Sequence, residues 1–150
     1  MAPTMNGSSS PHVEVINTGS ELLYGQVLNT HLQFLAKALW PLGLSVQRQT
    51  TVPDGNAIQE ALCESFSRSA MVFVTGGLGP TTDDITRELT AQLLGLELHM
   101  DPAIEDAIRT RLQQRNIRIT ERILRQAMRP TEATVLPNAC GTAPGLHLPP

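Results

Sequence analysis

Apolar residues follow two different spacings along the first 95 residues of this 150-residue chain. Short runs of apolar and β-branched residues predict strands over residues 12–18, 44–52 and 71–74. Apolar positions at helical spacing predict helices over residues 29–39, 57–66 and 85–94. Because strands and helices alternate, the pattern predicts an α/β fold with a parallel sheet. The fully apolar strand 71–74 is typical of the centre of such a sheet.

The rest of the chain predicts two more helices and two short strands, over residues 102–114, 119–128, 134–136 and 145–148. A turn-rich segment, PNACGTAP, separates the two short strands. No internal repeat or long linker interrupts the pattern. We therefore expect one domain over residues 12–150, preceded by a disordered leader over residues 1–11.

The composition narrows the class of protein and its compartment. A net charge of −3 and 41% hydrophobic residues fit a soluble domain of common size. Cys63 and Cys140 lie far apart without CxxC spacing, which excludes a disulfide scaffold and favours free thiols in a reducing compartment. No apolar run approaches the roughly 20 residues of a membrane span, and the first residues lack the pattern of a signal peptide. We therefore expect a cytoplasmic protein without a membrane partner.

The most informative stretch is TGGLGPTTDD, residues 75–84, between a predicted strand and a predicted helix. Its glycines let the backbone approach a ligand closely, and the N–H groups of a helix N-terminus favour an anion such as phosphate. Asp83 and Asp84 would repel a bare phosphate, and a divalent cation that bridges carboxylate and phosphate oxygens resolves the conflict. Alternatively, the two aspartates cap the helix and complement its dipole. The order of the glycines matches neither Walker A nor GxGxxG.

Two other loops contain candidate ligand residues. Glu21 follows the first predicted strand, and loops after neighbouring parallel strands converge at one edge of a sheet, so Glu21 would complete an acidic metal site with Asp83 and Asp84. The segment NACGTAPG, residues 138–145, has small residues that allow close approach to a ligand. The alternatives are an exposed loop glutamate and a plain hairpin turn. Cys140 has no local activator for a nucleophilic role.

Basic residues are concentrated late in the chain. Arg118, Arg122, Arg125 and Arg129 are spaced 4, 3 and 4 residues apart, which predicts one face of the helix over residues 119–128. Such a stripe could bind a polyanion, but the net charge of −3 favours a solvated face opposite the core. The aromatic content of 3% also argues against a surface on which bases stack. Direct nucleic-acid binding is therefore not expected, whereas a single arginine that reaches a ligand phosphate stays open.

Four segments, in order, give the chain a resemblance to a known family. They are INTGSELLYGQVLNTH (16–31), TGGLGPTTDDITRELTAQLLG (75–95), RQAMRP (125–130) and LPNACGTAPG (136–145). Together they resemble the amino-terminal domain of the CinA family of competence/damage-inducible proteins, which has the MoaB/Mog molybdopterin-binding fold. The resemblance implies a three-layer α/β/α sandwich with a mostly parallel sheet. It also implies a homo-oligomer, most simply a dimer, and a small-molecule ligand, either an ADP-ribose-like nucleotide or a pterin.

Residue roles follow from the same resemblance. It implies that a diphosphate is cradled by Gly76, Gly77, Gly79 and Thr81. It implies that catalysis and metal binding rest on Glu21, Asp83 and Asp84. The resemblance also implies that four further residues line the edge of the sheet where the ligand binds: Ser20, Asn29, Gly141 and Thr142. The cofactor it implies is a divalent metal ion, Mg²⁺ or Co²⁺, with K⁺ as a further candidate.

The sequence departs from the family pattern at two places. Many members have Asn shortly before the Arg-Gln-Ala segment, where this chain has Arg122 and Ile123. Members also continue after GTAPG through another strand, a Leu-Pro-Gly-Val-Pro-like loop and a final helix, and they often add a deamidase domain. On this pattern the domain is truncated before its last strand and helix, and no deamidase activity is expected.

Three functions are compatible with these observations. The first is metal-dependent hydrolysis of a nucleotide diphosphate bond, as in an ADP-ribose pyrophosphatase of the CinA type. The second is a molybdopterin- or nucleotide-binding module without turnover. The third is an interaction protein related to competence or DNA damage that acts through the arginine stripe.

Overall fold

The structure is a computed structural model that describes residues 11–149, so the predicted leader lies, apart from Pro11, outside the described residues. The chain divides into two compact units. The first extends to Pro53 and includes Glu60–Thr75, and the second comprises Asp54–Gln59 and the residues from Gly76 onward. No helix in the described part of the chain is long and apolar enough to cross a membrane.

The first unit contains a three-stranded parallel sheet. Its strands are β1 (Val13–Thr18), β2 (Val46–Val52) and β3 (Met71–Thr75), in the order β2-β1-β3. Val13 lies opposite Val46 on one side and Met71 on the other. Both strand pairs are parallel, which confirms the predicted parallel sheet. The fully buried β1 lies at its centre and β3 lies at an edge, so the predicted central strand is wrong.

Polar residues in β1 explain why a less apolar strand occupies the centre. Asn17 donates a hydrogen bond from Nδ2 to Oγ1 of Thr75 at 2.6 Å and accepts one at Oδ1 from Nε2 of Gln49 at 2.8 Å. Both bonds run to neighbouring strands, so burial of this side chain leaves neither its donor nor its acceptor unsatisfied. Apolar content alone therefore pointed to the wrong strand.

Glu14 is the second buried polar group of β1 and fixes a helix to the sheet. This unit contains α1 (Ser20–Leu23), α2 (His31–Leu39) and most of α3 (Asn56–Arg68), whose first residues, up to Gln59, are counted in the second unit. The carboxylate of Glu14, 1% exposed, accepts hydrogen bonds from Nε of Arg68 at 2.6 Å, Nη2 of Arg68 at 2.9 Å and Oγ of Ser65 at 2.9 Å. The Arg68 hydrogen bond outweighs the effect of burial and lowers the pKa of Glu14 to about 2.

The second unit is built mainly from helices and two antiparallel strand pairs. Its elements are α4 (Thr86–Leu93), β4 (Leu98–Met100), α5 (Pro102–Gln114), α6 (Glu121–Leu124), β5 (Met128–Pro130), β6 (Thr134–Leu136) and β7 (Gly145–His147). β4 pairs with β5, and β6 pairs with β7. The buried core of this unit contains Ile104, Ile108 and Leu112 of α5 together with Ala127. Their spacing of four residues places the three side chains on one face of α5.

The predicted helix over residues 119–128 is wrong in extent. Thr120 caps α6, which ends at Leu124, and a 3₁₀ turn over Arg125–Ala127 leads into β5. Met128 has extended backbone and lies opposite Met100 in the β4–β5 pair. Pairing with β4 therefore overrides the helical spacing of the local sequence.

Candidate functional site

The glycine-rich loop connects β3 to α4 and is packed on the first turn of that helix. Gly76 and Gly77 have φ angles of 100° and 71°, in the region that favours glycine. The backbone N–H of Thr86 donates to the carbonyl oxygen of Gly77 at 3.2 Å. A Cβ atom at residue 77 would overlap Oγ1 of Thr86, so only glycine allows this approach of loop to helix.

Asp84 closes a turn inside the same loop. Its Oδ2 accepts hydrogen bonds from the backbone N–H of Thr81 at 2.7 Å and from Oγ1 of Thr81 at 2.5 Å. A Cβ atom at Gly79 would lie 2.6 Å from Oδ2 of Asp84. The structure thus brings together three of the predicted residues, whereas Asp83 is exposed beside them.

The alternative that the two aspartates cap the helix is wrong. α4 begins at Thr86, its N-cap is Ile85, and no side chain accepts a hydrogen bond from its first turn. The carboxylate of Asp84 instead accepts hydrogen bonds from Thr81. The amino end of α4 is therefore left without a side-chain cap.

Thr86 is a site residue that the sequence analysis did not single out. It is 4% exposed, and its Oγ1 has no hydrogen-bond partner in the part of the chain that the structure describes. This hydroxyl lies against Gly77. A buried hydroxyl without a partner is costly, so an acceptor that enters at this loop would be stabilised by it.

A charged network follows Thr86 in the first turn of α4. Arg87 is 3% exposed and donates from Nη2 to Oε1 of Glu88 at 2.7 Å. The same oxygen accepts a hydrogen bond from Nη2 of Arg125 at 3.1 Å. Burial raises the pKa of Glu88, but the hydrogen bonds from the two arginines and the charge of Arg87 outweigh it, so the pKa is lowered. Glu88 therefore stays ionised between two cations.

The arginine stripe is not a single helix face in the structure. Arg125 binds Glu88, and Arg129 donates from Nε to Oδ2 of Asp101 at 2.6 Å. Arg122 donates from Nε to the carbonyl oxygen of Pro80, in the glycine-rich loop, at 2.5 Å. The interpretation as one solvated face is therefore wrong for these three residues, because the helix ends at Leu124.

The loop after β1 places three predicted residues in the first unit. Glu21 is exposed in α1, and its carboxylate turns back on Gly19, whose φ is 143° and where a Cβ atom would overlap it. Ser20 is the first residue of α1. Asn29 accepts a hydrogen bond at Oδ1 from the backbone N–H of His31 at 3.0 Å. Its Nδ2 is buried without a partner among the described residues.

The loop between β6 and β7 is ordered by side chains, unlike a plain hairpin turn. Oδ1 of Asn138 accepts hydrogen bonds from the backbone N–H groups of Cys140 at 2.9 Å and Gly141 at 3.0 Å. The guanidinium of Arg111, in α5, donates to the carbonyl oxygens of residues 138, 139 and 141. Thr142 donates from Oγ1 to Oε1 of the buried Gln126 at 2.7 Å.

A cavity of about 360 Å³ lies between this loop and α5. Its lining includes Asp101, Ile104, Arg111, Gly141 and Thr142. The predicted residues Gly141 and Thr142 thus lie at a concave surface of the second unit.

Cys63 and Cys140 are both exposed free cysteines.

The described residues do not fit a resident metal ion. Among them, no group of three or more His, Cys, Asp or Glu side chains is placed to hold one. One oxygen of the Asp84 carboxylate is already used by Thr81. Glu21 belongs to the first unit and Asp83 and Asp84 to the second, and the metal site predicted from them stays a prediction, as does metal dependence.

Comparison with known sequences covers nearly the whole described chain. The family model described as "Probable molybdopterin binding domain" matches residues 14–148. A CinA-like protein of Akkermansia muciniphila is 46% identical over 137 residues, which cover 91% of this chain and 33% of that protein. The chain therefore spans about a third of the length of this relative.

Comparison with solved structures supports the same relationship. The protein CinA of Thermoplasma acidophilum, described as having unknown function, has a TM-score of 0.78 and 34% identity, covering 93% of this chain and 82% of that one. A structure of MogA has a TM-score of 0.51 and 26% identity, covering 65% of this chain and 64% of that one. These similarities confirm the predicted α/β fold of the MoaB/Mog type.

Proposed function

Because the chain belongs to the molybdopterin-binding domain family, with CinA-like relatives, we propose that it binds the phosphate groups of a pterin or an ADP-ribose-like nucleotide. The binding element is the loop from Gly76 to Asp84. The observation that carries the proposal is the buried, unpartnered hydroxyl of Thr86 against Gly77. A phosphate oxygen is an acceptor that such a donor lacks in the free protein.

The loop also offers the other features of an anion site. Gly76 and Gly77 have positive φ and let the backbone approach a ligand closely, and the helix that follows adds the positive end of its dipole. The absence of a side-chain cap on α4 leaves that end to a ligand. Thr81 is held in place by Asp84, so its backbone is oriented before any ligand arrives.

We further propose that the diphosphate bond of ADP-ribose is hydrolysed at this loop, with water as the co-substrate and AMP and ribose 5-phosphate as products. Asp83 is an exposed carboxylate of this loop, and in this proposal it accepts a proton from the attacking water. Asp84 instead orients Thr81. A divalent ion would arrive on the diphosphate as part of the substrate, since the described residues hold no preformed site for one.

Binding can be tested with a pair of matched glycine variants. Gly77→Ala and Gly95→Ala both change a glycine of similar positive φ, 71° and 66°, but only residue 77 meets Thr86. We expect calorimetry to show that Gly77→Ala loses ADP-ribose and pterin-phosphate binding by at least about tenfold, whereas Gly95→Ala binds like wild type. Equal binding by both variants, or no binding by the wild-type protein, would contradict the proposal.

Hydrolysis is tested separately from binding. Wild-type protein supplied with ADP-ribose and Mg²⁺ or Co²⁺ should release AMP. Asp83→Asn should lower that rate about 100-fold with little change in Tm. Asp84→Asn should lower both Tm and ligand affinity, because it weakens the Thr81 turn. Ligand binding without AMP release would leave the binding module as the function and reject hydrolysis.

A further inference from the structure

We infer that Arg122 is a specificity-determining residue that contacts the outer phosphate of a ligand on the glycine-rich loop and favours diphosphates over monophosphates. This inference rests on the proposed phosphate binding at that loop. Arg122 lies in α6, and its Nε donates to the carbonyl oxygen of Pro80 at 2.5 Å. Pro80 lies between Gly79 and Thr81, so the guanidinium is fixed at the middle of the loop.

The Pro80 contact uses only part of the hydrogen-bonding capacity of Arg122. A guanidinium has five N–H donors in a planar fork, and the carbonyl oxygen takes one of them. In the described part of the chain, neither terminal nitrogen has a hydrogen-bond partner and no carboxylate forms an ion pair with it. Two adjacent nitrogens of an exposed guanidinium match two oxygens of one phosphate.

The neighbouring arginines differ from Arg122 in this respect. Arg87 and Arg125 both bind Glu88, and Arg129 binds Asp101. Their charges are therefore compensated by carboxylates. Arg122 is bound to a neutral carbonyl, so its charge remains available to a ligand anion.

The positive charge of Arg122 also offsets the repulsion between the two aspartates and a bound phosphate. Asp83 and Asp84 end the same loop and would repel an anion, and no group of three or more His, Cys, Asp or Glu side chains among the described residues is placed to hold a cation there. A guanidinium held at Pro80 supplies fixed positive charge next to that pair in the chain. The unpartnered hydroxyl of Thr86 independently marks the loop as a ligand position. With one phosphate at Thr86 and Gly77, a charge held at Pro80, three residues further along the loop, would act most strongly on the second phosphate.

The inference is tested by calorimetry with adenosine, AMP and ADP-ribose at constant ionic strength. Arg122→Gln should weaken ADP-ribose binding by about 10- to 100-fold and AMP binding by about threefold, and leave adenosine binding unchanged. Arg122→Lys should fall between Arg122→Gln and wild type, because it keeps the charge but loses the fork. Arg118→Gln is the matched control, since it removes the same charge from an exposed residue whose side chain has no hydrogen bond or ion pair in the described part of the chain.

The outcomes separate this inference from the proposed function. If wild-type protein binds ADP-ribose and Arg122→Gln binds it as tightly as Arg118→Gln, the role of Arg122 is rejected and phosphate binding stands. If Arg122→Gln weakens all three ligands equally and lowers Tm, Arg122 only supports the loop and the inference is also rejected. If wild-type protein binds none of the phosphorylated ligands, the proposed function itself fails.

Discussion

At the scale of single residues, Glu14 shows how a charged group is kept in a buried strand. Its carboxylate is satisfied by Arg68 and Ser65, both from α3. Arg48 is a weaker partner, since it is 57% exposed and its Nε lies 3.8 Å from Oε1 of Glu14. Removal of the main partner would leave a buried charge with little compensation, which is more costly than loss of a surface ion pair.

We therefore expect Arg68→Met to lower the free energy of unfolding at about pH 7 by more than the loss of a surface ion pair. Arg48→Met is the control, and its cost should stay below about 1 kcal/mol because that pair is exposed. Urea denaturation of both variants and the wild type measures the difference. Equal costs for the two substitutions would show that the Arg68 pair has no special weight.

The same pair gives stability a defined dependence on pH. Folding lowers the pKa of Glu14 from 4.5 to about 2, so the contribution is complete above 4.5 and is lost as the pH falls toward 2. Without Arg68, burial no longer has an opposing hydrogen bond from that residue, and the pKa of Glu14 should rise. The stability gap between wild type and Arg68→Met should therefore shrink as acid is added, and a gap that stays constant to about pH 3 would refute this origin.

Individual residues differed in how far the sequence could place them. The need for glycine at positions 76 and 77 was predictable, since a loop between strand and helix requires unusual backbone angles. The role of Asp84 in forming a turn was not predictable, because the same sequence is compatible with a helix cap and with a metal ligand. Arg122 was missed as a loop contact because its partner, Pro80, is 42 residues away.

At the scale of elements, α5 was predicted with its observed bounds, Pro102–Gln114. Its start is marked by Asp101, whose side chain accepts hydrogen bonds from the backbone N–H groups of Ala103 at 2.9 Å and Ile104 at 3.2 Å. The hydrogen bond from Arg129 is the main cause of the lowered pKa of Asp101, with the backbone bonds adding to it. One side chain thus caps the helix and joins it to the end of β5.

Asp101→Ala should therefore destabilise the protein by about 2 kcal/mol, more than loss of a helix cap alone. Asp101→Asn keeps the acceptor for the cap and should cost only about half as much. Asp106→Ala, an exposed substitution in the same helix, should change stability by less than about 0.5 kcal/mol. Thermal unfolding followed by circular dichroism ranks the three variants, and an equal effect of Asp101→Ala and Asp106→Ala would contradict the dual role.

The local spacing of apolar residues did not predict the elements that are stabilised by partners far along the chain. β4 and β5 have three residues each, too few to show alternation, and they exist because Leu98 and Met100 pair with Pro130 and Met128. α1 is a single turn of four residues without a recognisable apolar face. The longer strands and helices were predictable because they repeat one spacing over several turns or pleats.

At the scale of the whole molecule, the charge distribution argues against a role in direct DNA binding. The net charge is −3, and three of the four clustered arginines contact other groups of the second unit. We expect no retention of the protein on double-stranded DNA cellulose even at about 50 mM salt. Retention that decreases with salt, and that is lost when Arg118, Arg122 and Arg125 are changed to Glu, would instead support an interaction protein related to competence or DNA damage.

Association of the chain with itself is a further prediction at this scale. The resemblance implies a homo-oligomer, and the first unit exposes large apolar side chains close together in sequence. Their exposed fractions are 82% for Leu28, 74% for Tyr24 and 73% for Phe34. Such exposure is typical of interaction surfaces. Sedimentation velocity should show a dimer that Leu28→Gln with Phe34→Gln converts to monomer, and a wild-type monomer at about 100 μM would reject the prediction.

The order of strands in the parallel sheet has a consequence for synthesis of the chain. β1 is made first, but its partners β2 and β3 follow about 30 and 60 residues later. At about 5–20 residues per second, the ribosome needs roughly 3–12 s to add the last of these strands. During that interval the apolar residues of β1, among them Val15 and Ile16, remain unpaired in the nascent chain. This strand is therefore the segment where a holding chaperone would most effectively protect the growing polypeptide from aggregation.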